Sequence, residues 1–249
     1  MSEPLLELDG LTKRFGELTA VSDVTRSVDA DDLTALIGPN GAGKTTMYNL
    51  MTGKLSPTSG RVRFRGEDVT DVSPAQRVHR GLARSFQVTN VFEGLSVRRN
   101  LRAPVIARSG ERRSLFGSTT EAIEAETDRV LELVGLEDIA DEPCTELSYG
   151  DKRRVEIGIV LATDPDLVLL DEPMAGMNPN EAEKMVELVE DLDERTEMSF
   201  FVTEHDVDII FSIATRILVL DRGEIIADGT PEEIRTNERV QSAYLGEEA

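Results

Sequence analysis

Eight consecutive residues constrain this chain more than anything else in it. Gly38-Pro39-Asn40-Gly41-Ala42-Gly43-Lys44-Thr45 fills every fixed position of the pattern G-x-x-x-x-G-K-[ST]. The residues before it, 33–37, are a short apolar run that stops at Gly38 and reads as a buried strand. Residues 44–52 then read as a helix. Strand, glycine loop and helix in that order make a cradle for phosphate. Glycines let successive backbone N–H groups turn inward and approach phosphate oxygens with no side chain in the way. The helix adds the positive end of its dipole. On this reading Lys44 reaches the β- and γ-phosphates, the Thr45 hydroxyl ligates Mg²⁺, and the ATP-binding stretch runs on to Thr46. A glycine-rich turn with no ligand is the plain alternative, and the flanking strand and helix argue against it.

A second element agrees. Leu167-Val168-Leu169-Leu170-Asp171-Glu172 reads as a buried strand ending in two carboxylates. In open parallel sheets, ligands bind at the carboxyl ends of strands. Asp171 is expected to hold the metal through water. Glu172, one residue further, suits orienting or deprotonating an attacking water. The alternative is a pair of loop acids after a core strand.

The rest of the chain alternates. Residues 5–9 and 18–28 read as strands of an early antiparallel sheet, with Asp29-Ala30-Asp31-Asp32 as the turn, and 61–65 as another strand. Ser73-Pro74-Ala75-Gln76 and Thr230-Pro231-Glu232-Glu233 are capping boxes that open helices. Residues 95–135 are helical in pattern with a polar break at 109–118, and Ile123, Val130, Leu131 and Val134 share one face. Further helices are expected at 148–162, 181–195 and 206–214, and strands at 199–203, 217–220 and 225–228. This predicts an α/β fold with a mostly parallel core sheet. The helical stretch from about 88 to 162 interrupts it as an inserted subdomain. Residues 1–249 thus read as a single domain with its core at 1–87 and 163–249.

Composition narrows the function. The chain carries 48 acidic and 27 basic side chains, a net charge of −21. That balance argues against a general nucleic-acid binder, which needs a basic footprint. The acid excess is spread along the chain and suits a high-salt cytoplasm, where at about 1 M salt a Debye length of roughly 3 Å screens the self-repulsion. An ordinary solvated acidic surface is the alternative. No run approaches the roughly 18 apolar residues of a membrane span. The first ten residues, MSEPLLELDG, carry neither a basic region nor an apolar signal core, so a cytoplasmic location is expected. The single cysteine, Cys144, excludes an intrachain disulfide and a cysteine-cluster metal site.

Over nearly its whole length the chain resembles the nucleotide-binding subunits of ABC transporters. Leu147-Ser148-Tyr149-Gly150-Asp151 is similar to that family's L-S-G-G-Q signature, departing from it at Tyr149 and Asp151. The following Arg153-Arg154-Val155-Glu156-Ile157 resembles the subfamily that serves branched-chain amino acid importers. Ser148 and Gly150 sit at a helix N-terminus, a second anion site. The resemblance implies that this site faces the γ-phosphate held by a partner subunit. It also implies that Gln87 is the Q-loop glutamine that touches Mg²⁺ and water, His205 the switch histidine, and Phe15 the aromatic that stacks on adenine. Asn178 falls in the D-loop, and it is also a plain helix cap with Pro179 and Glu181 after it. Ile159 stands where the family often has Arg, and His79 matches no family motif.

The resemblance implies a P-loop NTPase fold of ABC type with an antiparallel β subdomain and an inserted helical one. Its implied ligands are ATP and Mg²⁺. Its implied partners are a second ABC ATPase subunit, transmembrane permease subunits and an extracytoplasmic solute-binding protein, with no nucleic acid. The implied place is the cytoplasmic face of the cell membrane, peripherally attached. Branched-chain amino acids are the expected solute. Urea or amide uptake, lipid or lipopolysaccharide export, and a soluble ABC-type ATPase acting on nucleic acid or ribosomes are the alternatives.

Overall fold

The computed structural model describes residues 4–30, 32–85, 91–111 and 120–245. Its strands are β1 (Leu6–Phe15), β2 (Leu18–Val28), β3 (Leu33–Ile37), β4 (Ser59–Phe64), β5 (Glu67–Asp68), β6 (Leu82–Arg84), β7 (Leu167–Asp171), β8 (Ser199–Thr203), β9 (Arg216–Asp221) and β10 (Glu224–Gly229). Among the described residues they form two sheets. One has the order β2-β1-β4-β5 and pairs antiparallel throughout. The other has the order β10-β9-β3-β8-β7-β6 and is parallel except where β10 meets β9.

The central strands β3, β7 and β8 are buried at every position. Near-continuous apolar strands of this kind are covered on both faces. Alternation along the strand splits them between two cores. Val168, Leu170, Phe200 and Val202 join one cluster, while Leu167, Leu169 and Phe201 join the other. The second cluster also takes Leu6, Leu8 and Leu11 of β1, so it is filled from the antiparallel sheet. Parallel register brings three strand ends level: Asp171 is opposite Thr203, and Leu36 is opposite Thr203 on the other side. The loops leaving β3, β7 and β8 therefore open along one edge, where ligands of parallel sheets bind.

The helices are α1 (Lys44–Met51), α2 (Pro74–His79), α3 (Val97–Glu111), α4 (Thr120–Leu133), α5 (Tyr149–Leu161), α6 (Pro179–Arg195), α7 (Val207–Ile213), α8 (Pro231–Arg235) and α9 (Glu238–Leu245). The boxes opening α2, α6 and α8 are present in full. Helices α3 and α4 pack together with ion pairs Arg98–Asp128 and Arg102–Glu124 along their seam. In α4 and just beyond it, Val130, Leu131 and Val134 are buried, and Ile123 packs half-buried against them. Arg77 of α2 is 1% exposed and donates to the carbonyls of Leu50 and Met51 at the end of α1, and to those of Thr70 and Val72. Its side chain thus closes carbonyls that a helix end leaves open, and burial pulls its pKa down to about 10.

Two expectations need correction. The first strand does not end at residue 9 but runs to Phe15. Asp9-Gly10 looks like a turn, yet it is an irregularity in the ladder, where the Gly10 N–H donates to the Thr25 hydroxyl and pairing resumes at Leu11. Strands β5 and β6 were not expected. They are two and three residues long, too short for a periodic signal.

Candidate active site

The loop 38–43 is built by close approach. A Cβ on Gly38 would stand 2.1 Å from the Leu220 carbonyl oxygen, and one on Gly43 would stand 2.3 Å from that of Ala20. Only glycine fits where backbone passes backbone this closely. Gly43 precedes α1 with no side-chain cap, and no acid occupies the first turn of that helix, so its positive end is left for an anion. Lys44 is buried, and its ammonium donates to the carbonyls of Gly38 and Pro39, folding over the loop it follows. Pro39, Asn40, Gly41, Ala42, Thr45 and Thr46 complete one wall of a cleft of about 580 Å³. Phe15, 48% exposed at the end of β1, stands at the cleft's rim, and Glu172 and His205 line it as well. An exposed aromatic of this kind offers a face for stacking.

The two carboxylates after β7 live in different surroundings. Asp171 is 3% exposed. One of its oxygens accepts from Arg84 Nη2 at 2.7 Å, the other from the Thr203 hydroxyl at 2.9 Å, and its N–H donates to Ser85 Oγ at 3.2 Å. Arg84 also donates to Asn49 and lies 5.0 Å over the ring of Tyr48. Burial pushes the Tyr48 phenol up, and the Asp171 charge adds to that. Glu172 has φ +51, the left-handed region that side chains other than glycine rarely adopt. That turn swings its carboxylate out of the strand and into the cleft, where Oε1 meets His205 Nε2 at 2.8 Å. Behind them Glu204, 5% exposed, accepts from the N–H groups of Met174 and His205. Burial raises its pKa.

At the start of α5, Ser148 caps the helix: its oxygen accepts from the Asp151 N–H at 3.1 Å and its hydroxyl donates to the Asp151 carboxylate at 2.7 Å. The Tyr149 hydroxyl donates to the Ala175 carbonyl at 3.1 Å. Gly150 packs against Glu181. None of residues 148–151 lines the cleft of Lys44. Asn178 caps α6 through a reciprocal pair with Glu181, at 3.1 and 3.2 Å.

The family pattern described as ABC transporter matches residues 21–175, more than half of the chain. The chain belongs to the ABC transporter family. It is an ABC-type ATPase. A second family pattern, described as branched-chain amino acid ATP-binding cassette transporter, matches residues 224–249 of this cassette. Among curated relatives, the cassette is 38% identical over 99% of its length to the whole of the high-affinity branched-chain amino acid transport ATP-binding protein LivG of Escherichia coli (strain K12). It is 34% identical to the probable LivG of Methanocaldococcus jannaschii, covering 98% of each chain. Among solved structures, the ADP conformation of MJ1267, an ATP-binding cassette of an ABC transporter, superposes with a TM-score of 0.85 at 32% identity, covering 98% of this chain and all of that one.

The cassette brings Phe15, the 38–46 loop, Glu172 and His205 to one cleft, with Asp171 beside it in the strand end. It sets Ser148 and Asn178 apart from that cleft. Gln87 lies outside the described residues. The structure adds Arg84, Thr203 and Glu204, to which the sequence assigns no role, and gives Arg153 of the 153–157 match a contact of its own. A signal existed for Arg84, a lone cation just after an apolar pair in a strand-like run. Thr203 and Glu204 carry no local pattern for this, because Asp171 and Met174 lie 32 and 30 residues away. Ile159 is half-buried against the main core. Cys144 is buried and accepts from Asn100 Nδ2. His79 is exposed.

Proposed function

We propose that this cassette binds and hydrolyses ATP to power an importer of branched-chain amino acids. The observation that carries the ATPase part is one cleft holding both the Lys44 loop and the Glu172–His205 pair at 2.8 Å. Lys44 and the N–H groups opening α1 neutralise phosphate charge. Phe15 stacks on the base. Glu172 takes the proton from, or orients, the attacking water, and His205 holds that carboxylate in place until the γ-phosphate competes for its imidazole. Glu204 fixes the backbone on both sides of this pair.

The donor set suits Mg²⁺. Among the described residues no cluster of three His, Cys, Asp or Glu could hold a metal, whereas Mg²⁺ prefers a few hard oxygens plus phosphate and water. Thr45, Asp171 through water, and Gln87 are the proposed holders. Both Asp171 oxygens already accept a hydrogen bond, which favours contact through water. When bound, the ion would neutralise charge on the β- and γ-phosphates.

The assembly we infer is a head-to-tail pair of ATPase subunits, with Ser148, Tyr149, Gly150 and Asp151 of each chain facing the partner's ATP and Asn178 nearby. Permease subunits and an extracytoplasmic solute-binding protein complete it. Among the described residues no helix is long and apolar enough to cross a membrane. With the permease subunits as its partners, we place the cassette peripherally on the cytoplasmic face. We read residues 1–87 and 163–249 as its core and 88–162 as the helical insert. The solute follows from the names of the relatives and the pattern at 224–249. Labelled leucine and labelled urea offered to vesicles containing the full complex test it. Leucine uptake that needs ATP is expected. Urea uptake without leucine uptake overturns the solute and leaves the ATPase reading standing.

The net charge of −21 we attribute to life at high salt. The melting temperature then falls as KCl is lowered from about 1 M to about 0.1 M, where the Debye length grows from roughly 3 to 10 Å. A flat or rising profile removes this reading.

A further inference from the structure

Tyr149, Arg153 and Glu156 recur at i, i+4 and i+7 along α5 and so share one face of the helix. That face is turned toward the loop 172–178 between β7 and α6. The Tyr149 hydroxyl donates to the Ala175 carbonyl at 3.1 Å, and its ring lies over Gly176. Arg153 Nη2 donates to the Glu172 carbonyl at 3.3 Å, while Nη1 is held by Glu156 at 2.8 Å. Both partners of that pair are about as buried as the core, at 6% and 5% side-chain exposure.

The loop they grip begins with the backbone that aims Glu172. Its N–H is fixed from the sheet by the Thr203 carbonyl at 2.9 Å. Its carbonyl accepts from the Ala175 N–H at 3.1 Å, closing the turn, and from Arg153 on α5. A residue at φ +51 persists only where its surroundings over-determine it. Here the sheet supplies one side of that constraint and α5 the other. Tyr149 pins the same turn three residues on.

We propose that Tyr149 and Arg153 are positioning residues for Glu172, so that the helix whose first turn reads the partner's nucleotide also aims the base of its own chain. This rests on the ATPase reading above. Its consequence is a coupling between the two sites of a pair. A shift of α5 on meeting the partner's phosphate moves Tyr149 and Arg153, and with them the turn that carries Glu172. The route uses one helix and one loop of a single chain.

Steady-state ATP hydrolysis by the full chain tests this. Tyr149→Phe deletes one hydroxyl and keeps the ring, so folding is retained. We expect kcat to fall about 3- to 10-fold, the worth of one hydrogen bond, with KM for ATP unchanged within about twofold. The same change in a Glu172→Gln background should have no effect on the residual rate, because no base remains to be misplaced. Arg153→Lys should keep part of the effect of Arg153, since an ammonium can still donate to the Glu172 carbonyl but lacks the guanidinium that bridges it to Glu156. A Tyr149→Phe protein with parent kcat, or a loss of rate that persists undiminished in the Glu172→Gln background, overturns the proposal while leaving the ATPase reading intact. Parent-like hydrolysis by Glu172→Gln alone overturns both.

Discussion

The two walls of the cleft are made by different means. The Lys44 wall is made of backbone. Its glycines press against the carbonyls of Leu220 and Ala20, and its one cation folds back onto carbonyls of its own loop. The Glu172 wall is held from behind by side chains of other parts of the chain: Arg84, Thr203, Glu204, Arg153 and Tyr149. A backbone wall is correct or absent. A side-chain wall has many settings, because its partners ride on several elements. Binding and turnover are therefore separable in this cassette, with binding resident in the first wall and the rate adjustable through the second.

Substitutions at the two walls should separate binding from turnover. Glu172→Gln keeps shape but removes the negative charge, and turnover should fall about 10²–10⁴-fold, the range for a general base. ATP affinity should be kept, because the first wall is untouched. Lys44→Ala should lower turnover about 10²–10³-fold, as for loss of a donor to developing charge, and should lower ATP affinity with it. Hydrolysis rates together with equilibrium ATP binding check both. If Glu172→Gln loses affinity as badly as Lys44→Ala, the two walls are not separable and the comparison is wrong.

The same contrast explains what could be read from sequence. The first wall was legible because its parts are consecutive: a strand, eight patterned residues and a helix. Backbone geometry set by glycine leaves a local trace. So did the strand end at Asp171 and Glu172, and the caps Ser73, Asn178 and Thr230, whose partners stand three residues away. The second wall was not legible. Arg84 meets Asp171 from 87 residues away and Tyr149 meets Ala175 from 26. Nothing in either neighbourhood marks the other. The left-handed turn at Glu172 was equally hidden, since the residue there is not glycine. The extent of β1 was misread for a related reason: Asp9-Gly10 carries a turn's residues, but the neighbouring strand absorbs it as an irregularity.

The second wall also carries stability. Arg84 and Asp171 are both largely buried, with side chains 14% and 3% exposed at 2.7 Å. Arg84→Met removes the cation and leaves a buried carboxylate whose remaining hydrogen bond, among the described residues, is from the Thr203 hydroxyl. Losing one partner of a buried pair costs about 3–5 kcal/mol. Urea unfolding at fixed salt should show a loss of that size, against little or none for Lys44→Ala. A loss below about 1 kcal/mol in Arg84→Met would mean that water already satisfies Asp171, and that the second wall is less dependent on its side chains than the contacts imply.

The smallest expected effect concerns Asn178, at the far end of the loop that α5 grips. Its bonds among the described residues are those of a cap: the side-chain oxygen accepts from the Glu181 N–H, and its own N–H donates to the Glu181 carboxylate. Asn178→Ala loses the acceptor and should cost about 1 kcal/mol. Asn178→Asp keeps an acceptor in the same place and adds a charge that suits a helix N-terminus. If capping is all that Asn178 does, the Asp variant melts and turns over like the parent, and the Ala variant loses stability with its kcat intact. A D-loop role gives a different pattern. The Asp variant would then keep its melting temperature and lose turnover, because a partner chain would be reading the amide and not the fold. The first pattern is expected, since the helix accounts for both bonds. The second would extend the side-chain wall across the subunit boundary.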